Sequence, residues 1–567
     1  MAVSVDVGVA ENLKEPNIVH TAGPSFFRKV LLLRLPMGMV MCIMGEMARK
    51  TGKKERNTSM QLSQTNGNAK KQFWLCMLSV LIWGMAAHGY GFLHSSFSHD
   101  SLSEFNGGMG SNSWKIQLGR IAVPVYKAIF RTNLTLPWMC GLLALIWIGL
   151  AVFLTARMLS LRNRAEIFLI AGVFTVNLTV TATAATYLHD FDGNMFGMLC
   201  AAAAVFLWQR YRFGYLVGSV LLAVCMGIYQ SYLSVAIVLI LLICIGWLLK
   251  GEAFAGVFRR GLTAIGMLLL GGILYALMLG LTWKLSGITP ASGSSNTLDL
   301  LLTLTPRDIL RLMRDTYFDT FRRLFRVITP YPQWMIRAAT GLLLLLTAGL
   351  FIAALRGKGK RETLLSIVLA ALIPLGMNVV YVLSSGMVHD LMVYGIWLSY
   401  LPALLLAFGS IGRLKKGIRW GCALLAGFLL YADVQTANVL YLKKDMEQDA
   451  FLSYMTRVVY TMESCDGYVA GQTPVVFVGD PPQNSYTIPG FERYAGITGA
   501  DSSGATGLTE DFRARAYFQY VLNDPALIPG SDVFAQMESD PRVDAMPEYP
   551  ESGSVAMIDG VLVVKFS

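Results

Sequence analysis

Two aspartates separated by one residue, Asp190 and Asp192, are the first candidates for chemistry. They lie in a short polar run, His189–Asn194, between the apolar segments Ile167–Tyr187 and Met195–Trp208. Carboxylates near membrane depth are costly and tend to be kept for function. Such a pair can orient a hydroxyl, or hold a pyrophosphate through magnesium or manganese. Solvated acids in a short outer loop are the alternative. We treat both aspartates as candidate catalytic residues and as the metal ligands if a cation is used.

A second acidic group, Asp100 and Glu104, follows the first confident apolar segment, Phe73–Leu93. A carboxylate at this position could take the proton of an attacking hydroxyl. Asp100 is therefore a candidate general base, and Glu104 a candidate partner in substrate binding. The alternative is a polar loop with its ordinary share of acids. His389, before Asp390, marks a third position of this kind and is a candidate binding residue.

Cations and amides that could hold a substrate lie in the same connections. Arg120 could bind phosphate or hold a carboxylate in register. Tyr229 and Gln230 form a turn between two apolar segments, where a glutamine between tyrosines suits sugar hydroxyls. Aromatic residues are also common at membrane interfaces without any such role.

A helical pattern from Thr305 to Val327 places its apolar residues opposite a row of arginines: Arg307, Arg311, Arg314, Arg322 and Arg326. This pattern predicts an amphipathic helix in the outer membrane interface. Contact with lipid headgroups is one use of the row. Neutralising a lipid phosphate through Arg322, Arg323 or Arg326 is the other, because guanidinium pairs well with phosphate.

The composition indicates a chain that is solvated mostly by lipid. It has 567 residues, 54% hydrophobic and only 15% charged, against roughly 25% charged in soluble domains. The net charge of +11 comes from short basic clusters between apolar segments, which indicates membrane topology and no nucleic-acid partner. Eight cysteines include no CxxC pair, and no zinc spacing or P-loop is present.

Eleven apolar segments are long enough to be considered as spans, and helices are the expected form because isolated strands leave their backbone unpaired in lipid. They are Phe73–Leu93, Leu136–Ala156, Ile167–Tyr187, Met195–Trp208, Tyr215–Ile228, Tyr232–Leu249, Leu262–Trp283, Met335–Leu355, Leu364–Leu383, Leu391–Phe408 and Trp420–Leu440. Alternate connections carry nearly all the short-loop Lys and Arg residues. The positive-inside rule then predicts a cytoplasmic N-terminus, a C-terminal tail outside, and all the candidate acids outside.

The chain divides into three parts by composition. Residues 1–72 form an uncertain, predicted cytoplasmic segment, residues 73–440 the multi-span part, and residues 441–567 a polar outer domain. In the last part, Pro474–Gly479 and Val561–Phe566 have the pattern of buried strands, and Glu510–Leu522 that of a helix. The predicted fold is an all-α polytopic membrane protein with a small C-terminal α/β domain outside the membrane.

The run from Tyr187 to Leu199, followed by the Tyr-Gln-Ser-Tyr turn at Tyr229–Tyr232, resembles the GtrII-like glucosyltransferases over roughly residues 73–440. The resemblance implies a GT-C-like enzyme of the bacterial cell membrane that serves serotype conversion of O-antigen-type surface polysaccharide. It implies transfer of a hexose, with glucose expected, from a polyprenyl phosphate to a cell-envelope glycan. It implies an essential acid in the first outer loop, here Asp100, and a second acidic loop, here Asp190 with Asp192.

Partners that follow from the resemblance are the lipid-linked sugar, the glycan acceptor, the bilayer, and a flippase and synthase that supply the donor. Two other classes of function stay open at this point. One is a transporter or flippase of lipid-linked saccharides, although no internal repeat supports it. The other is a non-catalytic envelope-assembly protein, whose tail alone would bind glycan.

Overall fold

A computed structural model describes residues 59–94, 97–98, 101–104, 110–132, 134–290, 305–409, 416–500 and 508–567. Most of the predicted N-terminal segment lies outside these ranges, as does Asp100. The described residues are mostly helical. The helices are α1 Ser59–Leu93, α2 Gly110–Gln117, α3 Ala122–Phe130, α4 Pro137–Met158, α5 Arg164–Thr175, α6 Leu178–Thr186, α7 Leu188–Arg210, α8 Gly214–Ile228, α9 Leu233–Leu249, α10 Phe254–Ser286, α11 Pro306–Leu324, α12 Gln333–Leu355, α13 Lys360–Met377, α14 Val379–Leu383, α15 Tyr394–Trp397, α16 Tyr400–Phe408, α17 Lys416–Glu463, α18 Asp511–Tyr517, α19 Ser531–Glu538 and α20 Pro541–Asp544.

Seven of the described helices are long and apolar enough to cross a membrane, or eight if the bent pair α5 and α6 counts as one span. The other predicted spans are helical but shorter or broken. Helix α8 has 15 residues. The segment predicted as Leu364–Leu383 contains Pro374 and breaks at Asn378 between α13 and α14. The segment predicted as Leu391–Phe408 is divided between a 3₁₀ turn, α15 and α16. The structure therefore supports a membrane protein, and eleven full spans are not confirmed.

The acidic run around Asp190 is helical, contrary to the prediction of a loop from Leu188 to Asn194. Helix α7 begins at Leu188 and continues to Arg210, so both aspartates lie in its first two turns. The connection before it is reduced to Tyr187, which is not helical. The sequence pattern did not predict a helix here because the charged residues interrupt the apolar period. In the folded chain these charges pair with cations from another segment.

The bent pair ends beside this site. Helix α5 meets α6 at 41°, and the Asn177 side chain caps α6 by accepting from the Val180 amide at 3.1 Å. A side-chain oxygen that accepts from the first turn of a helix stabilises its start by about 1 kcal/mol. The cap therefore stabilises the bend at Asn177, and this bend directs α6 towards the start of α7.

The C-terminal tail contains the predicted α/β structure. Strands β1 Val475–Val478, β2 Val555–Ile558 and β3 Val561–Lys565 form a sheet of order β1-β3-β2, in which β1 runs parallel and β2 antiparallel to β3. The predicted strands and the helix α18 are confirmed, whereas β2 was missed. Helix α17 has 48 residues and passes straight through residue 440, where the sequence suggested a domain boundary.

The tail packs onto the connection between α1 and α4, residues 94–136, which the sequence predicts to lie outside and which we call the first outer connection. Leu102 of this connection lies in the apolar core of the tail, and the Gln448 side chain donates to the Phe97 carbonyl at 3.3 Å. Gly499 has φ +86° and approaches Thr186 so closely that any side chain would clash with it. Glycine is the residue that adopts this backbone conformation without strain. The tail is thus built around the first outer connection and the end of α6.

A buried ion pair fastens the tail to α17. Lys443 Nζ lies 2.5 Å from Glu447 Oε2 and donates to the Ala500 carbonyl at 3.1 Å. Both side chains are almost fully buried. The pair therefore holds the segment ending at Ala500 against the bundle.

We expect Glu447→Ala to lower the free energy of unfolding by about 3–5 kcal/mol, because it leaves the Lys443 ammonium buried and unpaired. Thermal unfolding in detergent measures the change. Asp449→Ala, an exposed acid on the same helix, is the control and should change stability by less than about 0.5 kcal/mol. Equal stability of the two variants would contradict the role of this pair.

Candidate active site

The Asp190 carboxylate is buried between two lysines. Lys127 Nζ lies 2.8 Å from its Oδ1, and Lys115 Nζ pairs with its Oδ2. Lys115 also lies 3.3 Å from His189 Nε2. Lys115 comes from α2 and Lys127 from α3, the two short helices of the first outer connection. The charge of α7 is therefore balanced by a segment more than 60 residues earlier in the chain.

Asp192 has its own cation and its own hydroxyl donor. Arg131 Nε lies 2.9 Å from Asp192 Oδ2, and the Tyr126 hydroxyl donates to the same oxygen at 3.0 Å. The Trp147 indole donates to the Tyr126 oxygen at 2.9 Å. Burial raises the pKa of the Tyr126 phenol well above its usual value, and the Asp192 carboxylate raises it further. The phenol stays protonated, so it acts as a donor to Asp192.

The first outer connection approaches the same place from another side. Ser98 Oγ donates to the Thr186 carbonyl at 2.7 Å, and Ser98 and Ser101 are both buried. Glu104 Oε2 lies 3.8 Å from Lys127 Nζ, so Lys127 is shared between Glu104 and Asp190. Asp100 is outside the described residues; before it Ser98 contacts the end of α6, and after it Glu104 contacts Lys127.

Arg120 is stacked between aromatic rings at the edge of this charged group. Its guanidinium carbon lies 4.7 Å from the Tyr229 ring centre and 5.8 Å from that of Tyr187. Gln230 donates to the Tyr275 hydroxyl at 2.7 Å, and Tyr275 donates to the Gly119 carbonyl at 3.1 Å. Within the described residues Arg120 makes no ion pair. It is half-buried, so the structure holds in place a cation that has no carboxylate partner among the residues it describes.

Helix α11, the predicted arginine helix, carries a second charge cluster. Arg323 Nε lies 2.6 Å from Asp319 Oδ2, and its Nη1 lies 3.3 Å from Asp390 Oδ1. Arg326 Nη1 lies 2.8 Å from the same Asp390 oxygen. Arg322 is mostly exposed and reaches Asp319 at 3.1 Å. The buried acids Asp319 and Asp390 therefore hold Arg323 and Arg326.

The second cluster differs from the sequence pattern in two ways. The predicted helix ends at Leu324, so Arg326 lies beyond it. Arg323, absent from the predicted row, is the most buried of the three arginines, because it points at Asp390. His389 is exposed, while its neighbour Asp390 is buried and also accepts from the Thr498 amide of the tail at 3.2 Å.

The structure brings together Asp190, Asp192, Glu104 and Arg120, and it places Tyr229 and Gln230 at the edge of the same group. It places Arg323 and Arg326 on Asp390 instead, with Arg322 on Asp319 and His389 exposed next to Asp390 in the chain. One short helix connects the two clusters, because Thr179 of α6 donates to the Asp390 carbonyl at 2.7 Å and Thr186 at its other end accepts from Ser98.

The family described as Glucosyl transferase GtrII matches residues 89–406, more than half of the 567 residues. The chain belongs to this family. It is a glycosyltransferase, and the resemblance inferred from the Asp190 run and the Tyr229–Tyr232 turn is confirmed. Both charge clusters fall inside the matched region, whereas α17 and the tail fall outside it. No curated protein and no solved structure matches the chain.

Four residues of this GtrII site escaped sequence reasoning: Lys115, Tyr126, Lys127 and Arg131. The short connections beside Asp190 contain no Lys or Arg, which predicts acids without local basic partners, and this prediction is wrong. One signal was available, since Lys115, Lys127 and Arg131 are concentrated in an outer connection where the positive-inside rule disfavours basic residues. Such an excess of cations in a connection predicted to be outside indicates buried acids that pair with them.

A divalent cation does not fit the Asp190 and Asp192 carboxylates as the structure places them. Ammonium and guanidinium groups already surround them at 2.8 and 2.9 Å. The part of the chain that the structure describes contains no group of three His, Cys, Asp or Glu residues able to hold a metal ion. A further positive charge at these oxygens would be repelled by Lys127 and Arg131.

We expect glucosyl transfer by the purified enzyme to survive EDTA at a concentration that removes magnesium and manganese. The lysines and Arg131 already supply the positive charge that a metal would bring. Transfer is measured before chelation, after chelation and after each cation is added back. A loss of transfer that magnesium or manganese restores would show that a cation binds the acids after all.

Proposed function

We propose that this glucosyltransferase takes glucose from a polyprenyl phosphate and transfers it to a cell-envelope glycan at the outer face of the bacterial cell membrane. The carrying observation is the buried group of acids and cations at the start of α7, assembled inside the family match. In the proposed topology the N-terminus is cytoplasmic, the tail is outside, and this group faces outward. Nucleotide sugars are cytoplasmic, so an outward site calls for a lipid-linked donor.

The proposed reaction needs one base and one group that accepts negative charge. The acceptor hydroxyl attacks the anomeric carbon of the sugar, its proton passes to a carboxylate, and the bond from that carbon to the phosphate oxygen breaks. Asp100 is the proposed base, with Glu104 beside it. Asp190 and Asp192 orient the acceptor and keep Lys115, Lys127 and Arg131 in place around the reacting atoms.

Arg120 is the proposed first contact of the departing phosphate. The sequence also offers the arginines of the second cluster for this contact, but Arg323 and Arg326 already pair with Asp390. Arg120 has no carboxylate partner within the described residues, and the Tyr229 ring fixes its plane. A stacked guanidinium keeps its outward N–H groups for phosphate. Arg322, mostly exposed, is left to attract the lipid phosphate from the bilayer surface.

We expect Asp100→Asn and Asp190→Asn each to abolish transfer while the protein still inserts and purifies. The amide keeps the shape of the carboxylate but cannot take a proton or balance the lysines. Transfer from polyprenyl-phosphate glucose in membrane vesicles is the measurement. Asp315→Asn, on the surface of α11, is the control and should keep full activity. Full activity of both test variants would overturn the assignment.

We expect Arg120→Gln to raise the KM for the lipid-linked donor by about 10- to 100-fold, because the variant loses a charge-assisted hydrogen bond to the phosphate. Arg120→Lys should recover part of it, since it keeps the charge without the paired donors. Arg323→Gln is the comparison, and it should lower thermal stability because Asp319 and Asp390 lose a buried partner. An unchanged donor KM in Arg120→Gln would place the phosphate elsewhere.

A further inference from the structure

A cavity within the helix bundle has one end far from the acid cluster. It has a volume of about 530 Å³, and α5, α9, α11, α12, α13 and α16 contribute to its lining. Gln209, at one end of it, is 19 residues beyond Asp190 along α7, which is about 28 Å at 1.5 Å per residue. This end of the cavity is therefore far from the proposed transfer site, whereas Thr320 and Leu324 of α11 line another part of it.

The lining of this cavity is apolar along its length and polar at one end. Along α9 it extends from Leu242 to Lys250, about 12 Å by the helical rise. The hydrocarbon core of a bilayer is about 30 Å thick, so this depth corresponds to most of one leaflet. Side chains such as Phe351 and Leu405 form its walls. Its shape and chemistry suit one hydrocarbon chain that enters from the end near Lys250.

The polar end carries uncompensated positive charge. Arg162 and Lys250 line the mouth of the cavity. A neighbouring cavity of about 290 Å³ shares Asn163 and Phe408 with it and adds Lys416 and Arg419. These four basic residues make no ion pair within the described parts of the chain. A cluster of Lys and Arg beside an apolar groove attracts anionic lipid headgroups, with about 1 kcal/mol for each basic residue.

One buried acid limits which lipid headgroup suits the cavity. Glu166 is 2% exposed, lines the cavity near Arg162, and its Oε1 has no hydrogen-bond partner among the described residues. A buried carboxyl oxygen without a partner is costly, and a ligand hydroxyl would satisfy it. A headgroup of phosphate and glycerol offers both an anion for the lysines and arginines and a hydroxyl for Glu166.

We propose that this cavity binds an anionic phospholipid with a glycerol headgroup, one acyl chain inside the cavity and the phosphate at Arg162, Lys250, Lys416 and Arg419. The headgroup end of this site is separate from the acid cluster at the start of α7. It makes the enzyme sensitive to the lipid of the leaflet opposite the acid cluster.

Gly246 provides a direct test of the chain position. It lines the cavity, and a Cβ built there meets nothing within 4 Å, so Gly246→Leu fills the cavity without a clash. Gly272→Leu on α10 is the matched control, because it also meets open space and does not line the cavity. Native mass spectrometry of the full chain in detergent with added phosphatidylglycerol counts the bound lipid. We expect the control to keep the lipid and Gly246→Leu to lose it, and equal retention would overturn the proposal.

Lipid chemistry is tested with the wild-type chain and two further variants. Arg162→Gln and Lys250→Gln should each weaken phosphatidylglycerol binding about fivefold, because each variant removes one surface charge that attracts the phosphate. Arg212→Gln, a basic residue outside the cavity lining, should leave it unchanged. Three results would each overturn the proposal. Phosphatidylcholine could bind as tightly as phosphatidylglycerol, or water-soluble glycerol phosphate as tightly as the lipid. The chain could also retain an isoprenoid phosphate in place of phospholipid. Because the readout is binding, its failure is distinct from failure of glucosyl transfer.

Discussion

The start of α7 depends on neutralising buried carboxylates with cations that come from elsewhere in the chain. A buried acid without a partner costs several kcal/mol, and the partner must come with good geometry. Asp190 and Asp192 obtain theirs from Lys115, Lys127 and Arg131, all in the first outer connection. That connection must therefore fold down onto the helix bundle, which brings Glu104 and Arg120 with it. The position of the candidate active site follows from this one electrostatic requirement.

The second charge cluster applies the same principle to the tail. Asp390 holds Arg323 and Arg326 on one side and accepts from the Thr498 amide on the other. A carboxylate shared in this way joins the arginine helix to the C-terminal region, although the two are far apart in the sequence. With the Lys443–Glu447 pair, it gives the tail two polar attachments to the bundle. The tail thus encloses the outer connections as part of one structure.

Helix α6 sets the spacing between these clusters. Thr179 near its start contacts the Asp390 backbone, and Thr186 at its end contacts Ser98. Seven residues of α-helix separate them by about 10 Å. The start of α7 and the Asp390 pairs are therefore neighbouring but separate groups. In the proposed reaction the sugar is transferred at the first group, and Arg322 beside the second attracts the lipid phosphate.

The sequence by itself determined the chemical class of this protein and much of its local structure. Apolar length identified the helical segments from Phe73–Leu93 to Trp420–Leu440, and short apolar runs in the tail identified the strands Val475–Val478 and Val561–Lys565. The Asp190 run and the Tyr229–Tyr232 turn indicated the family. Local patterns suffice there because lipid and the interior of a buried sheet each favour apolar residues, whichever other residues these contact. The run around Asp190 was misassigned as a loop because a helix start with charged residues has no apolar period. Only the tertiary structure decided which acids meet which cations, since Lys115, Lys127 and Arg131 lie 61–75 residues from their partners and no periodicity records a contact over that separation. It also decided that Arg323 and Arg326 are engaged by Asp390 while Arg120 is not, because ion pairing is set by side-chain distance and burial.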